Sequence, residues 1–470
     1  MKKSSRREQA KCVRHNHVSK FTKSLLYPPL ACLLSSTFLH AAVDDEYVGE
    51  QMYSPTGVPE SEKSFWDPSF WRDLTAPLES PVVPGQSQWL YFGRKSHTGT
   101  PYAESARDLT LYTAARLGFT PPALTPSFSR VYFSGDQIVF NGTPDIPAAP
   151  FGRLKVAVPH PLYLTQRSEI EFDRTIVEAD NTQVLGSHLT LTGDVSSYNF
   201  RSLGTVVIAR DGEQTIPSMK LRSGAIAELT TFQYSFTPVA IPATSNTAVA
   251  IESDAHFQAS SVQLFNTAGK VFDAIAGRGR ATLGTLFVDG NAPEVDPATL
   301  FHATGVASPA SAFSVTNNTV LDGFRGVVAQ IEDGATMQFH NYLYTLGPNG
   351  KMGLRANREG AITINHLSST SSATSGSTQL DWLATTQGSI AMTQLMITPL
   401  HLNDQLHIIS ASSGAKIDLP SSLGIDPDGR LFLTSTGSGS ELHLDGNSDF
   451  YPHNYLNDAT ARWSRINATI

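Results

Sequence analysis

Glu169, Glu171 and Asp173 are the carboxylates best placed for chemistry, because they alternate along one short segment. On a strand they share one face, where like charges raise one another's pKa or share a divalent cation. A solvated strand face has the same pattern and is the simpler account, since charge runs are ordinarily solvated. Asp426-Pro427-Asp428-Gly429 has the look of a calcium-loop fragment. Asp, Pro and Gly are also the standard turn formers, and an ordinary turn accounts for it. Arg278-Gly279-Arg280 is a lone basic pair without an assigned role. No Cys or paired-His spacing suits zinc, and there is no Gly-x-Ser-x-Gly elbow or phosphate-binding Gly-Lys-Thr loop. No catalytic, cofactor-binding or metal-binding residue is therefore assigned from the sequence.

The elements that must position any site are easier to read. Between Val320 and Asp445 one phrase returns five times: an apolar residue, five positions, Gly, then Ala or Ser. It runs Val328 to Gly334-Ala335, Leu354 to Gly360-Ala361, Trp382 to Gly388-Ser389, Ile408 to Gly414-Ala415 and Leu433 to Gly439-Ser440. Successive glycines stand 26, 28, 26 and 25 residues apart. A fixed period of this size signals stacked units, none able to bury its apolar face alone. Segments such as Gln405-Leu-His-Ile-Ile alternate or carry β-branched residues, and no helical stripe appears. The sequence predicts a right-handed parallel β-helix over 130–445, each repeat one rung.

The phrase contains a slip. After Gly334, Gly414 and Gly439 the large apolar residues fall at the third and fifth positions, but after Gly360 and Gly388 they fall one earlier. Either those rungs carry a bulge or the glycine alignment is off by one there. Ser223-Gly224 is the earliest candidate member, and degenerate ones near Asp254, Gly279 and Gly305 bring the suspected rungs to nine.

The chain of 470 residues opens on a basic segment, then an interrupted apolar run from Leu25 to Leu39, then Ala41 and Ala42. That order predicts a signal peptide over 1–41, cleaved after Ala41 or Ala42. Its length is similar to the extended signal peptides of some large Gram-negative surface proteins. A twin-arginine signal at Ser5-Arg6-Arg7 and a lipoprotein box at Pro29-Leu-Ala-Cys32 both fit less well. Eight of the 34 basic residues and one of the 42 acidic ones lie in the leader, leaving a net charge of about −15. Nucleic acid and anionic membranes are poor partners for such a chain. Both cysteines, Cys12 and Cys32, are also in the leader, so packing alone must stabilise the rest.

Residues 42–129 are expected to form an N-terminal cap. Its aromatics Phe65-Trp66, Phe70-Trp71, Trp89 and Tyr91-Phe92 could stack on sugars, but covering an open solenoid end is the favoured account. A helix is expected from Thr100, with Pro101 at its first position and Gly118 at its end. Strands are expected at 130–133, 137–140, 155–158, 188–191 and 205–208, a polar loop at Ser368 to Thr378, and a cap or tail at 446–470.

Segments such as Glu359-Gly-Ala-Ile-Thr-Ile and Ser413-Gly-Ala-Lys-Ile-Asp-Leu resemble the passenger region of autotransporters and related β-helical surface proteins. The resemblance covers roughly 130–445 and carries no functional residue. It departs at the end, where no membrane barrel follows Asp445. It implies a secreted or surface-exposed binding protein without enzymatic activity, whose partners are glycans or cell-surface proteins. The alternative is a β-helix polysaccharide lyase or hydrolase. Such hydrolases carry Asn-Thr-Asp, Asp-Asp, Gly-His-Gly and Arg-Ile-Lys segments. Here only Asn266-Thr267-Ala268 and the leader-proximal Asp44-Asp45 come near. Acidic and basic side chains clustered on one outer face of neighbouring rungs would favour the enzyme.

Overall fold

Two long ladders of parallel strands carry the fold. The computed structural model describes thirty-three strands and one short 3-10 helix between Met52 and Leu444, with most of the turns from residue 181 onward. Residues 1–51, 445–470 and several connecting segments fall outside that description. The described elements belong to one unit, Gly49–Ile470.

The first ladder climbs from Trp89–Gly93 through Phe200–Asp211, Ile226–Thr237 and Thr336–Leu346 to Glu441–Leu444. The second climbs from Glu62–Ser64 through Lys270–Ala274, Arg325–Glu332 and Lys351–Asn357 to Arg430–Thr436. The chain alternates between them, so each strand lies beside its counterpart from the previous repeat: a parallel β-solenoid. Among the described residues only Met52–Pro55 with Trp71–Asp73 is antiparallel. Long strands of the first ladder bend midway: Thr230, Ser260 and Gly284 are passed over while residues on both sides pair.

A column of tight turns joins the second ladder to the first. In Ser223-Gly224, Asp333-Gly334, Arg358-Glu359, Thr386-Gln387 and Ser413-Gly414, both residues have positive φ, from 48° to 78°. The next amide closes each turn, as when Ala335 N donates to Glu332 O at 3.0 Å and Gly360 N to Asn357 O at 3.0 Å. Two positive φ values and this bond are the pattern of a type I′ turn. The turns also bond to one another: Gly334 N donates to Arg358 O, and Glu359 N to Thr386 O. The five-fold phrase therefore does stack in one column. The slip is resolved as an alignment off by one, since Glu359 and Gln387 fill the place of Gly334 while Gly360 and Gly388 fill that of Ala335. Met337, Ile362, Ile390, Ile417 and Leu442 then share one register.

Inside the coil, alternate residues of both ladders build one continuous core. A run of phenylalanines drawn from both ladders passes along it. Phe232 meets Phe257 at 5.2 Å, Phe257 meets Phe272 at 5.3 Å, and Phe272 stacks on Phe301 at 5.5 Å. Phe301 goes on to Phe313 at 5.3 Å.

Ten strands of the first ladder start from Ile226 to Glu441. Because Ala312–Val315 and Thr319–Asp322 both lie between Arg280–Asp289 and Thr336–Leu346, they make nine levels, the number suspected, with further strands preceding them. All five expected strand segments fall within strands. The helix expected from Thr100 to Gly118 is corrected, because Leu109–Tyr112 is a strand paired in parallel with Gln137–Asn141. Leu-Thr-Leu-Tyr is good strand sequence, and a waiting ladder edge outweighs a helix-start signal nine residues earlier. The polar loop is also corrected at its start: Ser368 to Thr370 complete the strand Ala361–Thr370, with Ser368 in register with Met396. Residues 371–378 lie outside the description.

Candidate functional site

The outer face of the second ladder carries a band of polar side chains around a cavity of about 270 Å³, lined by Val327, Gln330, Glu332, Arg355, Asn357 and Thr385, among others. A local irregularity places it. In four successive strands the ladder passes over Ala248, Val271, Leu300 and Val328 while their neighbours pair. Those four residues and the ones after them, Val249, Phe272, Phe301 and Ala329, are all fully buried. Two consecutive inward residues reverse the alternation, so Asp273, His302 and Gln330 share an outer column with Arg355 of the next rung. The irregularity ends at the next step, where Val327 pairs with Gly353 and Ala329 with Leu354. That mismatch lies within the cavity's span.

The chemistry of the band is ionic at its ends and amide-rich in the middle. His302 Nδ1 meets Asp273 Oδ1 at 2.6 Å, and Lys270 Nζ lies 3.3 Å from Asp273 Oδ2. Both Asp273 and His302 are buried, though they face away from the core. Gln330 Nε2 donates to Glu332 Oε1 at 2.7 Å, and Arg358 donates to the other oxygen. Burial pushes the Glu332 carboxyl up, but the bonds from Gln330 and Arg358 and the nearby positive charge outweigh it, holding it below its ordinary range. Arg358 also reaches Asp333 at 2.7 Å. Arg355 donates to the Asp381 carboxylate and, at 2.6 Å, to its backbone carbonyl, with Lys351 Nζ 3.7 Å from the same carboxylate. Thr385 Oγ1 donates to Asn357 Oδ1 at 2.7 Å.

None of the candidates expected from the sequence joins this band. Glu169, Glu171 and Asp173 do lie on one strand, where Glu171 is half-buried between the fully buried Ile170 and Phe172. Glu171 accepts from Thr192 at 2.8 Å and pairs with Arg222 at 3.5 Å, which makes it part of a cross-rung bond network. Arg278 pairs with Asp254 at 3.6 Å, and Arg280 lies in a strand beside His256. Thr267 of Asn266-Thr267 is fully buried, as is Trp71 among the opening aromatics. Asp426 to Gly429, Asp44-Asp45, Phe65-Trp66 and residues 1–41 lie outside the described residues. One further carboxylate pair exists: burial first, then the neighbouring Asp322, raises the Asp289 carboxyl above its usual range. Among the described residues no group of three or more His, Cys, Asp or Glu is gathered to hold a metal, and no helix is long and apolar enough to cross a membrane.

The band escapes a reading of the sequence because its partners come from successive repeats, Asp273 and His302 being 29 residues apart and Arg355 and Asp381 26 apart. The available signal is the period itself: polar residues one repeat apart stand side by side. No protein family, curated protein or solved structure matches the chain.

Proposed function

We propose that this chain is an exported β-solenoid that binds an extended ligand, a glycan or a cell-surface protein, along the outer face of the second ladder, without turning it over. The observation that carries this reading is the pairing of the band's carboxylates. Asp273 has Lys270 and His302, Glu332 and Asp333 have Arg358, and Asp381 has Arg355 and Lys351. A carboxylate held ionised, as Glu332 is, does not deliver the proton that a glycosidic leaving group needs. What remains for a ligand is a row of hydrogen-bonding groups on successive rungs, where weak contacts add along the axis. The export half of the proposal rests on the basic, apolar and small order of residues 1–42.

The enzyme reading has one observation in its favour, since acidic and basic side chains do cluster on one outer face. Nδ1 of His302 lies 2.6 Å from Asp273 Oδ1 and 3.1 Å from Lys270 Nζ, which holds the ring in place and leaves Nε2 as its other polar atom. That nitrogen has no hydrogen-bond partner among the described residues.

One experiment separates the two. Polysaccharide pull-down and calorimetry should compare the wild type with the Gln330→Ala, Asn357→Ala double variant. A hydrogen bond to a ligand contributes about 1 kcal/mol, so losing two weakens binding roughly 30-fold with the circular-dichroism spectrum unchanged. Unaltered affinity would remove the groove from the binding site. Polysaccharide chains shortened by the wild type and spared by His302→Gln would replace the binder with the enzyme.

A further inference from the structure

Resting on the reading of this groove as a binding site, we infer that its ligand is an uncharged polysaccharide lying along the solenoid axis. Two features select it over a charged glycan or a protein.

The first is the internal pairing of charge. Arg355 is engaged by Asp381, Arg358 by Glu332 and Asp333, and Lys270 by Asp273. An anionic glycan would have to displace a carboxylate already in contact with its guanidinium or ammonium, and a cationic segment would meet the mirror-image problem. Either exchange desolvates a charge for little gain. A neutral polyol breaks no pair. Gln330 and Asn357 offer planar amides, and because Thr385 occupies Asn357 Oδ1, the Nδ2 group is left as a donor. Val327 and Leu383, half-buried in the same lining, supply apolar surface for the C–H faces of a sugar ring.

The second is spacing. Gln330, Arg355 and Leu383 stand in register on three adjacent strands, as do Glu332, Asn357 and Thr385. Adjacent strands are about 4.8 Å apart. That step is close to the advance of one pyranose unit along an extended glycan, so successive sugars meet successive rungs in register.

The test is calorimetry of the full chain at low and at high sodium chloride. The probes are oligosaccharides of mannan, xylan and mixed-linkage glucan on one side, and polygalacturonate and a sulfated glycan on the other. We expect a neutral probe to bind best, with affinity changing less than about twofold between the two salt concentrations, since no net charge is neutralised. The Gln330→Ala, Asn357→Ala variant should lose that binding. If a charged glycan binds best and its affinity falls tenfold or more in high salt while the variant still abolishes it, the ligand class is wrong and the groove stands. If the variant binds any probe as well as the wild type does, the groove itself is wrong.

Discussion

Alanine at Gly360 is expected to destabilise the solenoid by about 3 kcal/mol or more. A methyl carbon there would lie 2.1 Å from Ile331 O, 2.6 Å from Ile331 C and 3.0 Å from Asn357 O. All three are backbone atoms of the ladder, so no rotamer change relieves the clash. Gly334 is its counterpart in the repeated phrase and behaves differently. Nothing lies within 4 Å of an added methyl at Gly334, and its requirement is a φ of +78°. Alanine at Gly334 should cost only about 1 kcal/mol, the usual penalty for an L-residue in that region. Urea melts of the two variants side by side check this. Equal or inverted losses would mean that the off-by-one assignment of the turns is wrong.

Phe301→Ala should cost about 3–5 kcal/mol, the range for removing a fully buried phenyl group. Phe301 touches Phe272 on the adjacent strand of its own ladder, and Phe313 and Phe339 on two adjacent strands of the first ladder. Rungs contact only their neighbours, so the damage should be local. Amide hydrogen exchange should accelerate in Lys270–Ala274 and Arg325–Glu332 well before it does in Met219–Arg222. Leu203→Ala is the control, because Leu203 is 67% exposed and its loss should stay within about 0.5 kcal/mol. Uniform acceleration through the whole chain would contradict a core built rung by rung.

The parallel coil is legible because a solenoid writes its architecture as a period, and glycine at tight turns makes the period visible. The same reliance on glycine produces the slip. Glu359 and Gln387 take positive φ values of 65° and 63°, a conformation that side chains rarely adopt, so nothing in their identity marks the turn. Leu109–Tyr112 reads as helix because its start signals are local while its pairing partner, Gln137–Asn141, is not. The band of polar residues is illegible for a different reason. The phrase tracks inward residues, whereas Asp273, His302, Gln330 and Arg355 face outward and differ chemically from rung to rung. Their column also depends on the stacked irregularity at Val271, Leu300 and Val328, where two inward residues follow one another and strict alternation fails.

Stacked rungs that present one extended groove to one extended ligand must bind longer ligands more tightly. Affinity as a function of ligand length is therefore the most direct measurement, using purified oligomers of the best-binding glycan and titration calorimetry. Affinity should climb with each added unit until the oligomer spans the rungs from Lys270–Ala274 to Gln379–Thr385, then level off. Asn357→Ala should lower that plateau and leave the shortest oligomers nearly unaffected. Affinity already maximal for a single sugar, and indifferent to Asn357, would contradict an extended groove.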